Sequence, residues 1–158
     1  EDVDIANYNC PGQIVITGLK PAVEKAAKVL NESGAKRVIE LNVSGPFHSK
    51  FLKTAGEKMS VELEKINLTE LKIPYVTNVT GEYVSDISKT KELLVKQISS
   101  PVKWEQSVRN MINNGVDTFV EIGPGKTLAG FIRKIDRNVK CINISMVDDL
   151  DKLKEIIL

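Results

Sequence analysis

Thr118-Phe119-Val120-Glu121-Ile122, then Gly123-Pro124-Gly125, then Lys126-Thr127-Leu128-Ala129-Gly130-Phe131-Ile132-Arg133-Lys134-Ile135 is the stretch that decides the fold. The first run is a compact apolar strand, the second a tight turn, and the third sets Leu128, Phe131, Ile132 and Ile135 at helical spacing. Together they predict a β-turn-α unit. Downstream, Lys140-Cys141-Ile142-Asn143-Ile144 reads as another strand and Leu150 to Ile157 as a terminal helix. The second half therefore alternates strand and helix as a layered sheet does.

Upstream, Ile5 to Asn9 and Gln13-Ile14-Val15-Ile16-Thr17 are short β-type runs joined by the turn Pro11-Gly12. Leu19, Val23, Ala26, Ala27 and Leu30 then recur at helical spacing, with Pro21 in the first turn and Gly34 as the stop, which predicts a helix over 20–33. Arg37-Val38-Ile39-Glu40-Leu41-Asn42-Val43 alternates polar and apolar positions as a half-buried strand does. Leu52, Ala55, Met59, Leu63 and Ile66 mark a long helix. A short strand around Tyr75 to Asn78, a turn at Thr80-Gly81, and helices from about Lys89 to Ile98 and Val102 to Asn114 complete the chain. The expected class is mixed α/β (α+β).

At 158 residues, 42% apolar and 27% charged, the chain is long enough for one domain-sized core. Its 22 basic and 21 acidic residues leave a net charge of +1, with no basic stripe of the kind that tracks a phosphate backbone, so nucleic acid is not an expected partner. No apolar run approaches the roughly 20 residues a membrane span needs, and Glu1-Asp2-Val3-Asp4 has no export-signal pattern; no membrane association and a cytoplasmic location are expected. Cys10 and Cys141 lie far apart and outside any ligand spacing, which favours reduced thiols over a disulfide or a metal site. Position 1 is not Met, and the chain is expected to be a piece of something longer.

The only histidine stands in Val43-Ser44-Gly45-Pro46-Phe47-His48-Ser49-Lys50, between the predicted strand and the long helix. Imidazole titrates near neutrality, and a loop anchored between two regular elements can hold it open to a substrate. A capping or hydrogen-bonded surface histidine is the competing reading. No serine lies in a Gly-x-Ser-x-Gly elbow: Ser33 is framed by Asn31 and Ala35, and Ser44 by Asn42 and Pro46. If His48 is a general base, the group it activates lies outside these residues.

Other constellations have simpler explanations. Gly125-Lys126-Thr127 copies the end of a phosphate-binding loop, yet Val120 stands where that loop needs its first glycine, and Leu128 where a dinucleotide loop needs its third. The alternative is a turn that lets a helix pack closely after a strand, with a helix start that still favours an anion. Asp148, Asp149 and Asp151 precede a helix and complement its positive end. Trp104 shares a helical face with Val108, Met111 and Ile112, which marks it as core rather than a stacking platform.

Four segments jointly resemble one family. Asn7-Tyr8-Asn9-Cys10-Pro11-Gly12-Gln13, Val43-Ser44-Gly45-Pro46-Phe47-His48-Ser49, Ser100-Pro101-Val102-Lys103-Trp104 and Val120-Glu121-Ile122-Gly123-Pro124-Gly125-Lys126-Thr127-Leu128 look like successive signatures of the malonyl-CoA:acyl-carrier-protein transacylases, in order and spacing. The resemblance spans the whole chain and only the C-terminal half of the family's usual length. It implies a partial two-lobe fold. Residues 1–43 would belong to a ferredoxin-like small lobe and 44–158 to a hydrolase-like α/β large lobe, with the site in the cleft between them.

The chemistry implied is two-step acyl transfer of malonyl from coenzyme A to the pantetheine thiol of acyl carrier protein, through a serine ester, in fatty acid synthesis, with no bound cofactor. His48 matches the family's base, and imidazole suits both proton transfers. The serine would come from a missing N-terminal half, so the piece alone is expected to be inactive. Gln97 matches the glutamine whose backbone carbonyl orients the imidazole. Asn7 and Asn9 match cleft-lining asparagines, with a satisfied turn amide as the alternative for each. In related polyketide acyltransferases, phenylalanine before the histidine accompanies malonyl and serine accompanies methylmalonyl; Phe47 therefore points to malonyl, although Gly45-Pro46 replaces the His-Ala of the polyketide motif. Self-association of the piece through exposed strand edges is also expected. Two other classes stay open: a non-catalytic binding or scaffold module of the same architecture, and a small phosphate-binding domain at Gly125-Lys126-Thr127.

Overall fold

The computed structural model describes residues 2–43 and 45–157; Glu1, Leu158 and Ser44 of the histidine motif lie outside the described residues. Two antiparallel strands open the fold, β1 (Val3–Cys10) and β2 (Gln13–Gly18), joined through Pro11-Gly12. Register shifts between Ile5 and Asn7 and between Tyr8 and Cys10 bulge β1. Helix α1 (Lys20–Glu32) follows with Pro21 in its first turn. A single 3-10 turn, Lys50–Leu52, leads into α2 (Lys53–Glu64). Next come a second 3-10 turn, Ile87–Lys89, then α3 (Thr90–Ile98) and α4 (Trp104–Asn113).

The predicted β-turn-α unit is present as β3 (Thr118–Ile122) and α5 (Thr127–Ile135). Gly123 and Gly125 stand at φ 137° and 94°, a left-handed region closed to most side chains, and so allow the reversal. β4 (Lys140–Ile144) pairs parallel with β3 in register, Thr118 against Lys140 through Ile122 against Ile144, and α5 is the crossover between them. A 3-10 turn, Val147–Leu150, precedes α6 (Asp151–Ile157).

The core forms where β1, α4 and α5 meet. Cys10, Val108, Ile132 and Ile135 are buried together, and Trp104, Met111, Phe119, Phe131 and Cys141 pack around them. Val108 is 0% exposed. Trp104 is thus a core residue, as its helical face predicts. β1 is locked to this core from the side as well: Asn7 bridges Val102 in parallel, with Tyr8 N donating to Val102 O at 2.9 Å and Val102 N to Ala6 O at 2.8 Å. Both cysteines are free thiols.

Two expected strands do not form. Residues 37–43 keep the alternating pattern but run without a ladder, and Ile39, Leu41 and Val43 all face solvent, Ile39 at 59% exposure. The physical reason is that a strand is stable only when its amides and carbonyls meet a neighbour, and no neighbouring strand exists among the described residues. The Tyr75–Asn78 segment contracts to one antiparallel bridge, Val76 with Tyr83, because the chain reverses at once: Gly81 N donates to Thr77 O at 2.9 Å and Thr77 N to Glu82 O at 3.1 Å. The turn at Thr80-Gly81 is where the sequence places it.

One close approach sets up the site. Gly56 is buried on α2, and a Cβ there would lie 3.2 Å from the Val95 carbonyl oxygen of α3. The missing side chain lets α3 lie against α2, next to the loop that carries His48.

Candidate functional site at the His48 loop

His48 adopts φ 57°, the one non-glycine in the left-handed region among the described residues. The chain reaches it through Pro46, whose ring fixes its own φ, and through Phe47, whose N donates to Gly45 O at 2.9 Å. It leaves through Ser49, 1% exposed, whose Oγ accepts from Phe51 N at 3.3 Å and so caps the turn Lys50–Leu52. Lys50 N donates to Asp4 Oδ2 at 3.1 Å, which pins the loop to β1.

The imidazole Nδ1 lies 2.9 Å from the main-chain oxygen of Gln97. A carbonyl only accepts, so Nδ1 carries the proton and the lone pair of the neutral ring sits on Nε2. The carbonyl is free for local reasons. Gln97 is in the last turn of α3, where carbonyls lose their intrahelical donors, and the residue four positions on is Pro101, which has no N–H to offer. The arrangement thus presents a tautomer-fixed imidazole. Beside it is an open groove of about 400 Å³, lined among others by Asp4, Ile5, Tyr8, His48, Lys50 and Pro101.

Of the expected site residues, the structure joins His48 to Gln97 and leaves the rest apart. Phe47 is adjacent in sequence and 54% exposed. Asn7 and Asn9 lie within β1, Asn9 buried, and neither amide makes a side-chain hydrogen bond among the described residues. Ser49, Asp4 and Tyr8 were not singled out from the sequence. Ser49 alone had a local signal, a hydroxyl residue just ahead of a helical run.

The phosphate reading of Gly125-Lys126-Thr127 fails on geometry. Glu121, on β3, places Oε1 3.1 Å from Leu128 N and Oε2 2.8 Å from Ala129 N, the second and third residues of α5. The chain's own carboxylate already takes the helix-start amides that a phosphate would need. The Asp148, Asp149 and Asp151 cluster also serves its own backbone. Asp149 Oδ2 accepts from Ser145 N at 2.8 Å and Met146 N at 3.0 Å, and Oδ1 accepts from Lys152 Nζ at 2.6 Å. Among the described residues no three His, Cys, Asp or Glu converge as a metal site would need, and no helix is long and apolar enough to cross a membrane.

The acyl transferase domain pattern matches residues 1–147, and the chain belongs to that family. Among its relatives, the malonyl CoA-acyl carrier protein transacylase of Bacillus subtilis (strain 168) is 45% identical over 143 residues, covering 90% of this chain and 45% of the relative. The protein of the same name from Staphylococcus aureus (strain COL) is 42% identical over 148 residues, 94% of this chain and 48% of the relative. The crystal structure of malonyl CoA-acyl carrier protein transacylase from Clostridium perfringens ATCC 13124 superposes with a TM-score of 0.93 at 44% identity over 98% of this chain and 49% of that one. A type II PKS acyl-carrier protein in complex with its malonyl-transacylase gives 0.93 at 34% identity, over 98% of this chain and 50% of the other. The chain spans about half the length of the curated relatives it matches. The expected mixed α/β class and the resemblance to malonyl transacylases both hold.

Proposed function

We propose that the intact protein carrying this chain moves malonyl from coenzyme A to the pantetheine thiol of an acyl carrier protein through a serine ester, with His48 as the base and the serine supplied from outside these residues. The observation that carries the reading is the 2.9 Å contact between His48 Nδ1 and Gln97 O, because it leaves Nε2 as the proton acceptor beside an open groove. In the first step Nε2 takes the serine proton as Oγ attacks the thioester carbonyl, and the tetrahedral species collapses with the coenzyme A thiol leaving on that same proton. In the second step Nε2 takes the proton of the pantetheine thiol as its sulfur attacks the serine ester, and returns it to Oγ. Protons balance over the cycle and no cofactor is needed.

Asn7 and Asn9 are assigned to the cleft wall and Phe47 to acyl selection, where a bulky ring before the base fills the space that a branch methyl would take. The division into a small-lobe part, residues 1–43, and a large-lobe part, residues 44–158, belongs to the same reading; the two parts share a core through Cys10 of β1. The reaction is placed in cytoplasmic fatty acid synthesis, with neither nucleic acid nor membrane as partner.

Incubation with malonyl-CoA followed by intact-mass measurement tests the reading. The full-length protein should gain one malonyl group on serine, and His48→Ala should lower its formation by about 100-fold or more. Gln97→Ala should retain it, since only the main-chain oxygen of that residue is used. This chain alone should gain nothing. An adduct on the isolated chain, or transfer that survives His48→Ala, contradicts the proposal.

A further inference from the structure

We propose that Ser49 is a positioning residue for the base, its buried hydroxyl holding residue 48 in the left-handed conformation that aims the imidazole at Gln97. The inference rests on the role given to His48 above. Ser49 Oγ donates to Pro46 O at 2.6 Å and accepts from Phe51 N at 3.3 Å, while Leu52 N donates to Ser49 O at 3.0 Å. A hydroxyl has one proton to give and lone pairs to receive, and here each is used on a different side of residue 48. The donated bond reaches back over Phe47 and His48 and closes the loop 46–49. The accepted one fixes the start of the helical run that follows.

A non-glycine residue at φ 57° persists only where its neighbours over-determine it. On the amino-terminal side that work falls to Pro46 and the contact from Phe47 N to Gly45 O, neither of which constrains residue 48 from beyond. From the other side the Ser49 hydroxyl supplies a constraint within the loop, beside the Lys50 N contact to Asp4 Oδ2 that ties the loop to β1. With its hydroxyl gone, residue 48 relaxes toward negative φ, the Cα–Cβ direction turns, and Nδ1 leaves the Gln97 oxygen. Both proton transfers then slow, whereas substrate contacts made elsewhere in the groove are kept.

The test uses the full-length protein. Ser49→Ala is expected to fold, to lower kcat for malonyl transfer about 10- to 100-fold with KM for malonyl-CoA little changed, and to lose the single Nδ1–H tautomer of His48 in the imidazole 15N spectrum. Ser49→Thr, which keeps the hydroxyl, is expected to keep both kcat and tautomer. Wild-type kcat or an unchanged 15N spectrum in Ser49→Ala overturns the proposal, as does a folded Ser49→Thr that loses both. A Ser49→Ala chain that does not fold overturns it too, because the hydroxyl then serves the fold rather than the base. His48→Ala in the same assay separates the two levels: transfer that survives it strikes the function proposed for His48, whereas transfer abolished by it but untouched by Ser49→Ala strikes only Ser49.

Discussion

At residue 48 the side chain serves the site while the backbone carries strain. A left-handed L-residue costs roughly 1–2 kcal/mol relative to the right-handed region, and glycine escapes that penalty. His48→Gly is therefore expected to be more stable than His48→Ala by about 1 kcal/mol, read as a higher midpoint in urea, although both lack the imidazole. Equal midpoints would mean that φ 57° carries no strain. One position earlier, Phe47→Ser in the intact enzyme should raise methylmalonyl transfer relative to malonyl; an unchanged ratio of the two kcat/KM values would remove Phe47 from acyl selection. The histidine was legible because it is the only one and sits between regular elements. Gln97 was reached through family resemblance alone, since nothing about a glutamine side chain announces the use of its carbonyl. Ser49 was missed because a helix-capping serine looks the same whether or not it braces a neighbour.

Among the elements, α5 and the turn before α6 are held by carboxylates, and each gives a measurable consequence. Glu121→Ala removes two charge-assisted acceptors from the start of α5 and should destabilise the fold by about 1–2 kcal/mol in chemical denaturation. Inorganic phosphate should not raise the melting temperature of the unmodified chain; a rise would mean that an anion displaces Glu121. Asp149 contributes to stability on the acid side. Its hydrogen bond from Lys152, then those from Ser145 N and Met146 N, pull its carboxyl from the ordinary 3.8 down to about 2. A folded value below the unfolded one stabilises the fold above about pH 4, and that contribution fades as pH falls toward 2. Asp149→Asn should flatten this part of an acid-unfolding curve, with the effect weakened by salt because the group is exposed. An identical curve in the variant would show that the carboxylate is not coupled to folding.

Over the whole molecule, burial is uneven. Val108 and its neighbours form a closed core, yet Ile122 on β3 is 78% exposed, and Ile39, Ile73, Val147 and Met146 also face solvent. A two-stranded parallel sheet with an apolar residue left in water is unusual, because such sheets are normally covered on both faces. The isolated chain should therefore self-associate: sedimentation velocity should show a weight-average mass that climbs with concentration, and a compact monomer at all concentrations would refute this. The amino-acid sequence by itself determined what short-range chemistry can settle. It set the β-turn-α unit around Gly123 and Gly125 and the helices with their apolar stripes. Only the tertiary structure decided that His48 meets that carbonyl across 49 residues, that Glu121 occupies the start of α5, and that residues 37–43 lack a ladder. Periodicity reports which face of an element is apolar, whereas these outcomes depend on which element lies alongside, and here that turns on α2 closing on α3 at Gly56.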